Sequence, residues 1–258
     1  MKYFVRASLL PTILALAMFG WSVGTPSPAT GAQTTKESNE ERAIAALTKL
    51  NVPLGRDPDG RVRWLEAPNG ELGDEALHYL ASLPLLEWLE LGGGKVTITG
   101  IASLKGCKAL KRLYLHDIDL SKDGLAWIAD LRLEALSLQR TAIAGSALKQ
   151  LKDARTLTVL NLSENPITDE DLGQVARFTN LEVLALQNTK VAGAGLAKLE
   201  KMARLNVLNL VNCRIVDADL SHFLSMPNLR IVHASGCEIS DQAVKDITAK
   251  LQMLAIFR

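Results

Sequence analysis

The chain has 258 residues, of which 48% are apolar and only 5% aromatic, so it can bury a core and fill it with Leu, Ala, Val and Ile rather than rings. Lys and Arg total 29 against 28 Asp and Glu; without residues 1–32, which hold Lys2, Arg6 and no acid, 27 basic groups face 28 acidic ones. A near-neutral surface offers no footprint for nucleic acid or anionic lipid, and three cysteines (Cys107, Cys213, Cys237) make neither a disulfide framework nor a zinc set.

Residues 1–32 read as a secretory signal. Lys2 and Arg6 precede an apolar run from Ala7 to Phe19, and Ser27-Pro28-Ala29-Thr30-Gly31-Ala32 offers cleavage after Ala29 or Ala32. The run is shorter than the roughly 20 residues a membrane helix needs. An uncleaved anchor is the alternative. The expected destination is the periplasm or the extracellular space. Residues 33–42 are polar and read as a flexible linker. Residues 43–61 form an N-terminal cap: Ala-Ile-Ala-Ala-Leu-Thr-Lys-Leu at helical spacing, with Ser38 or Asn39 as possible helix caps, then the turn signal Asp57-Pro58-Asp59-Gly60.

From Val62 onward the pattern L-x-x-L-x-L recurs. Its first positions are Val62, Leu86, Leu110, Leu133, Leu157, Leu181, Leu205, Leu229 and Leu251, spaced by 24 residues with one step of 23 and a last step of 22. In each unit a period-two stretch predicts a strand with one buried face. An aliphatic residue follows ten positions after the first, then a capping stretch such as Thr168-Asp169 or Ser240-Asp241, then apolar pairs three apart such as Leu196 and Leu199 on a short helix. No single unit can hide its apolar face, so the units must stack. The expected fold is α/β: a curved parallel sheet on the concave side and short helices on the convex side, with about nine units over 62–258 and the last partial.

The strings Leu160-x-Leu-Ser-Glu-Asn-Pro-Ile-Thr-Asp-Glu-Asp-Leu172 and Leu186-Gln-Asn-Thr-Lys-Val-Ala-Gly-Ala-Gly-Leu196 resemble the T-x-I-T-D-x-G-L units of leucine-rich repeat proteins, exported planctomycete-like bacterial ones especially. Residues 47–62 are similar to the cap that opens many of those. The resemblance implies a solenoid that binds proteins or glycans and has no catalytic residues.

Counting from each first position as zero, offsets 2, 4 and 6 should face solvent on the concave side. The first three units place Trp64, Glu66, Trp88, Glu90, Arg112, Tyr114 and His116 there. Trp, Tyr and Arg dominate binding hot spots because they bury much area at little rotamer cost. This patch is the expected contact for a protein or peptide, or for a sugar stacked on Trp64 and Trp88; the alternative is that the Trp side chains only cover the cap–repeat junction. Trp127 belongs to convex packing. Cys213 and Cys237 share offset 8 with Thr141, Asn165 and Thr189, which reads as a buried polar ladder of free thiols, with a disulfide conceivable; Cys107 falls in a core column.

Gly92-Gly93-Gly94-Lys95 lacks phosphate-loop spacing. His78, His116, His222 and His233 fall in different units with no metal or triad partners at matching positions. The reading is therefore a non-enzymatic recognition module that needs no cofactor or metal, with no nucleic-acid partner and no membrane partner beyond an uncleaved anchor. A self-assembling envelope protein is the rival, because the final strand has no polar cap after it and invites a homo-oligomer through that edge.

Overall fold

The computed structural model describes residues 38–122, 124–151 and 155–258. The expected signal segment and residues 33–37 lie outside them. The chain opens with helix α1 (Asn39–Lys49). Ser38 Oγ accepts from the Glu41 amide (3.1 Å) and the Glu41 carboxylate accepts from the Ser38 amide (2.7 Å), so two otherwise orphaned N–H groups are satisfied reciprocally. That capping box draws residues 39–42 into the helix. The linker expected over 33–42 therefore gives way to helix four residues early, and the cap starts before residue 43. Ala43 and Leu47 are fully buried on the inner face of α1.

Ten strands form one sheet in strict chain order: β1 (Leu54–Arg56), β2 (Val62–Ala67), β3 (Trp88–Gly92), β4 (Arg112–His116), β5 (Ala135–Gln139), β6 (Val159–Asn161), β7 (Val183–Ala185), β8 (Val207–Asn209), β9 (Ile231–His233) and β10 (Ala255–Phe257). β2 to β10 run parallel, one per coil. β1 is antiparallel to β2 and was not foreseen. It is held by the turn at Asp57, whose carboxylate accepts from the Asp59 and Arg61 amides and pairs with Arg61 and Arg63, each at 3.1 Å.

The inward column of the sheet, Leu65, Leu89, Leu113, Leu136, Leu160, Leu184, Leu208 and Val232, is buried throughout. Each such side chain stabilises the stack by roughly 1.5–3 kcal/mol, and only when the coils on either side are in place.

The return segments are short. Helices α2 (Asp74–Leu77), α3 (Ile98–Ile101), α4 (Leu172–Val175), α5 (Gly193–Leu199) and α6 (Asp241–Lys250) alternate with tighter 3-10 turns such as Ala126–Ile128, Gly145–Gln150 and Asp217–Ser225. Carboxylates stitch these segments across coils. Asp74 accepts from the Thr97 amide and hydroxyl, Asp169 from the Ala192 amide, and Asp217 from the Ser240 amide and hydroxyl, all within 2.7 Å. Each acceptor sits at the start of the next coil's helix, where unpaired N–H groups and the positive helix end favour negative charge.

The last coil departs from the sequence reading. Ala255, Ile256 and Phe257 pair with Ile231, Val232 and His233, so the unit begins at Met253 rather than Leu251 and its step is 24 rather than 22. Leu251 instead terminates α6, its N–H bonded to the Ile247 carbonyl. A slip of two residues leaves strand parity unchanged, so alternation alone does not separate the two registers.

Candidate functional site

Register places the first three coils' concave side chains on a small grid. Trp64, Trp88 and Arg112 align along one row. Glu66, Glu90 and Tyr114 align along the next, and Gly92 and His116 pair in the third. The seven residues expected to form a patch thus lie on three adjacent strands, side by side. The Trp64 and Trp88 ring centroids are 5.7 Å apart and tilted by 53°; Trp88 meets Tyr114 edge-on at 6.0 Å. These are favoured geometries for aromatic pairs.

Two glycines make the layout possible. A Cβ on Gly55 would lie 1.7 Å from the Trp64 ring, so that indole occupies the space over the β1 backbone at Gly55. A Cβ on Gly92 would lie 2.1 Å from the His116 ring. Trp64 therefore does cover the junction of cap and repeats, and still leaves part of its ring facing solvent.

The expectation that offsets 2, 4 and 6 are all solvent-facing is corrected. Tyr114 is buried, at 7% exposure, as are Ser137, Asn161, Ala185 and Asn209 in its column. Strands lie about 4.8 Å apart, so each middle-column side chain is hemmed in by those of both neighbouring strands. Trp64, Glu66, Trp88, Glu90, Arg112 and His116 stay half-buried. Beyond Tyr114 the face continues as a shallow trough lined by Ser137, Val159, Asn161, Val183 and Ala185. Its polar groups are already satisfied: Asn161 Nδ2 donates to Ser137 Oγ at 3.1 Å, and Asn161 Oδ1 accepts from the Ser163 amide at 2.9 Å.

The carboxylates of the grid are unevenly matched. Burial and the neighbouring Glu90 charge both push the Glu66 carboxyl upward, and Glu66 forms no ion pair among the described residues. Glu90 lies 3.6 Å from His116 Nε2, and Asp117 lies 3.1 Å from His116 Nδ1. The bond to Glu90, followed by that to Asp117, raises His116 against the opposing effect of burial.

A charged clamp beside the patch was not foreseen. Arg140 bridges Asp117 (2.6 Å) and Glu164 (2.9 Å), and Gln139 donates to Glu164 at 2.6 Å. The Arg140 guanidinium holds the Asp117 carboxyl down at about 2. Gly93, Asp117, Arg140, Glu164, Asn188, Asn212 and Gly236, at offset 7 of their coils, all have positive φ. Gly, Asn and Asp tolerate that left-handed turn; their recurrence at offset 7 was the available signal. Arg140 and Glu164 are the exceptions, and they are joined to each other by an ion pair.

The offset-8 column forms the buried ladder read from the sequence. Asn165 Oδ1 accepts from the Thr141 and Ile143 amides, and its Nδ2 donates to the Leu138, Leu162 and Ser163 carbonyls. Thr189 Oγ1 donates to the Leu186 carbonyl. Cys213 and Cys237 are free thiols donating to the Leu186 and Leu210 carbonyls, each at 3.1 Å. Cys107 is a free thiol in the core, pushed up to about 11 by burial. Trp127 packs against the core on the convex side.

His78 meets Tyr79 with its ring tilted by 40°, His222 bonds Glu200, and His233 stacks on Phe257; no serine, threonine or cysteine side chain hydrogen-bonds a histidine among the described residues. No group of three or more metal-ligating side chains occurs among those residues either, and no helix of theirs is long and apolar enough to cross a membrane.

Residues 153–174 match the family model described as Leucine Rich repeat. No curated protein matches the chain. Among solved structures, internalin C2 from Listeria monocytogenes superposes with a TM-score of 0.61 at 25% identity, over 87% of this chain and 99% of that one. With the open ten-stranded sheet and its short convex helices, these likenesses make the fold a leucine-rich repeat solenoid.

Proposed function

We propose that this solenoid is a non-catalytic recognition module whose concave face, at the first three coils, holds a protein or peptide partner. The observation that carries the reading is the contiguous run of Trp64, Trp88 and Tyr114 rings on three adjacent strands, flanked by Glu66, Glu90, Arg112 and His116. Aromatic side chains on a rigid sheet bury large areas with little ordering cost. Leucine-rich repeat proteins are in general protein-interaction modules, which favours a protein partner over a glycan. The double variant Trp88→Ala/Tyr114→Ala tests the reading in a pull-down with residues 33–258 as bait. Partners captured by the wild-type chain should be lost from the variant, whose fold is checked by circular dichroism. Unchanged capture by a folded variant refutes it.

A second reading, self-assembly, draws on β10. Met253 occupies the slot that Leu229 and its equivalents fill in earlier coils, yet it is 71% exposed, and Phe257 is 53% exposed. Large exposed apolar side chains close together on one strand favour contact with a second copy. Sedimentation across a concentration series tests it, and a strictly monomeric species refutes it.

Export belongs to the same proposal and rests on Lys2, Arg6 and the apolar run before Ala32; recovery of the protein only from the cytosolic fraction of an expressing cell would count against it.

A further inference from the structure

We infer that the patch takes a basic side chain of its partner, arginine ahead of lysine, seated over Glu66 and Glu90 against the Trp64 and Trp88 rings. This rests on the recognition reading above and adds the chemistry of the partner. The aromatic run says that something large can be bound there; the charges beside it say which sign.

Glu66 and Glu90 are directly opposed across β2 and β3. Like charges facing each other on neighbouring strands destabilise a sheet, so this pair is an arrangement the fold tolerates rather than uses. Three of the chain's own cations nearby are already engaged. Arg63 pairs with Asp57 and Glu87, Lys111 with Glu87, and Arg61 with Asp57 and Asp59. His116 lies 3.6 Å from Glu90 and 3.1 Å from Asp117, and makes no ion pair with Glu66. Arg112 aligns with Trp88, not with either glutamate, and makes no ion pair with them. Glu66 thus faces outward beside a second carboxylate with no cation of its own among the described residues.

Both glutamates share their strands with the aromatic row: Trp64 and Glu66 are two apart on β2, and Trp88 and Glu90 two apart on β3. Two residues along a strand is about 6.8 Å on the same face. An incoming side chain can therefore touch a ring face and a carboxylate together. A guanidinium is suited to both, since it stacks on indole through its planar face and offers a fork of donors to carboxylates. An ammonium gains the same charge contact with less stacking. An acidic or uncharged partner would leave the glutamate pair desolvated and unrelieved.

The test uses three end-blocked peptides, tetra-arginine, tetra-glutamine and tetra-glutamate, titrated against the full chain with tryptophan emission as the readout. Tetra-arginine should change the emission saturably, and added salt should weaken it. In the double variant Glu66→Gln/Glu90→Gln the affinity should fall about tenfold or more. That variant removes repulsion without removing volume, so it should unfold no earlier than wild type, and this is checked by thermal melting. Arg112→Gln should bind tetra-arginine more tightly than wild type.

Undiminished binding by the double variant, or no response to tetra-arginine, overturns the inference. Equal or better binding of tetra-glutamine or tetra-glutamate overturns it too, but leaves concave-face recognition standing. Loss of that wider reading is signalled separately, by natural partners that still bind the Trp88→Ala/Tyr114→Ala variant.

Discussion

Replacing Asn165 by alanine should cost more than any other polar truncation in the repeats. The residue lies at 4% exposure between coils, and its amide closes five bonds to main chain. Truncation leaves the Thr141 and Ile143 N–H groups buried without a partner, each costing about 1–3 kcal/mol. The three carbonyls lose one bond each but keep a second lone pair, so their share is smaller. The sum is roughly 4 kcal/mol, or about 8–16 °C in melting temperature at about 2–4 °C per kcal/mol for a chain of this size.

Thr189→Ala is the control. Thr189 stands in the same column one coil later, but its hydroxyl donates only to the Leu186 carbonyl and makes a 3.6 Å contact with Cys213, so the loss should be about 1 kcal/mol. Urea titrations followed by circular dichroism compare the two. An Asn165→Ala variant within 1 kcal/mol of wild type, or two variants equally destabilised, would refute the claim that the ladder supports the main chain of the neighbouring coil.

Three other outcomes are expected. Asp117 ionises at about 2 instead of its ordinary 3.8, so the stability it contributes is complete above the ordinary value and is lost as pH falls from there towards about 2; Asp117→Asn should therefore be less stable than wild type at neutral pH, and the gap should close over that acid range in pH-dependent melts. Gly55→Ala forces the Trp64 indole off the β1 backbone, which should red-shift tryptophan emission and cost about 1–3 kcal/mol. All three thiols are raised by burial, so the native protein should react slowly with an aromatic disulfide reagent; half-buried Cys237 should label first and Cys107 last, as read by peptide mass spectrometry.

The stack of coils was legible because the same aliphatic slots recur through eight steps, and only coils in register bury them all. What the pattern left open has physical causes. Strand parity survives a two-residue shift, so Leu251 and Met253 were equally good starts for the last unit, and only the longer helix α6 separates them. Strand β1 was missed because Leu54-Gly55-Arg56 carries no alternation and is held by the Asp57 turn and the Trp64 ring. The seven patch residues lie on three adjacent strands at the register that their spacing predicts. How far Tyr114 sinks between its neighbours depends on side chains from three strands at once, which offset counting along a single strand does not sum. The Arg140 clamp was hidden for another reason: Arg and Glu are poor markers of a left-handed turn, and the column is recognisable only through its Gly, Asn and Asp members.

The Asp117–Arg140–Glu164 clamp has a bearing on how the molecule could be lengthened or shortened. Excising residues 181–204 would bring the coil from Leu205 onto the one from Leu157 at the cost of single links such as that between His222 and Glu200. Removing the coil from Leu133 takes out Arg140 and leaves the Asp117 and Glu164 carboxylates without their shared cation. The coil from Leu133 is therefore the one beside the aromatic patch whose loss would set two carboxylates against each other.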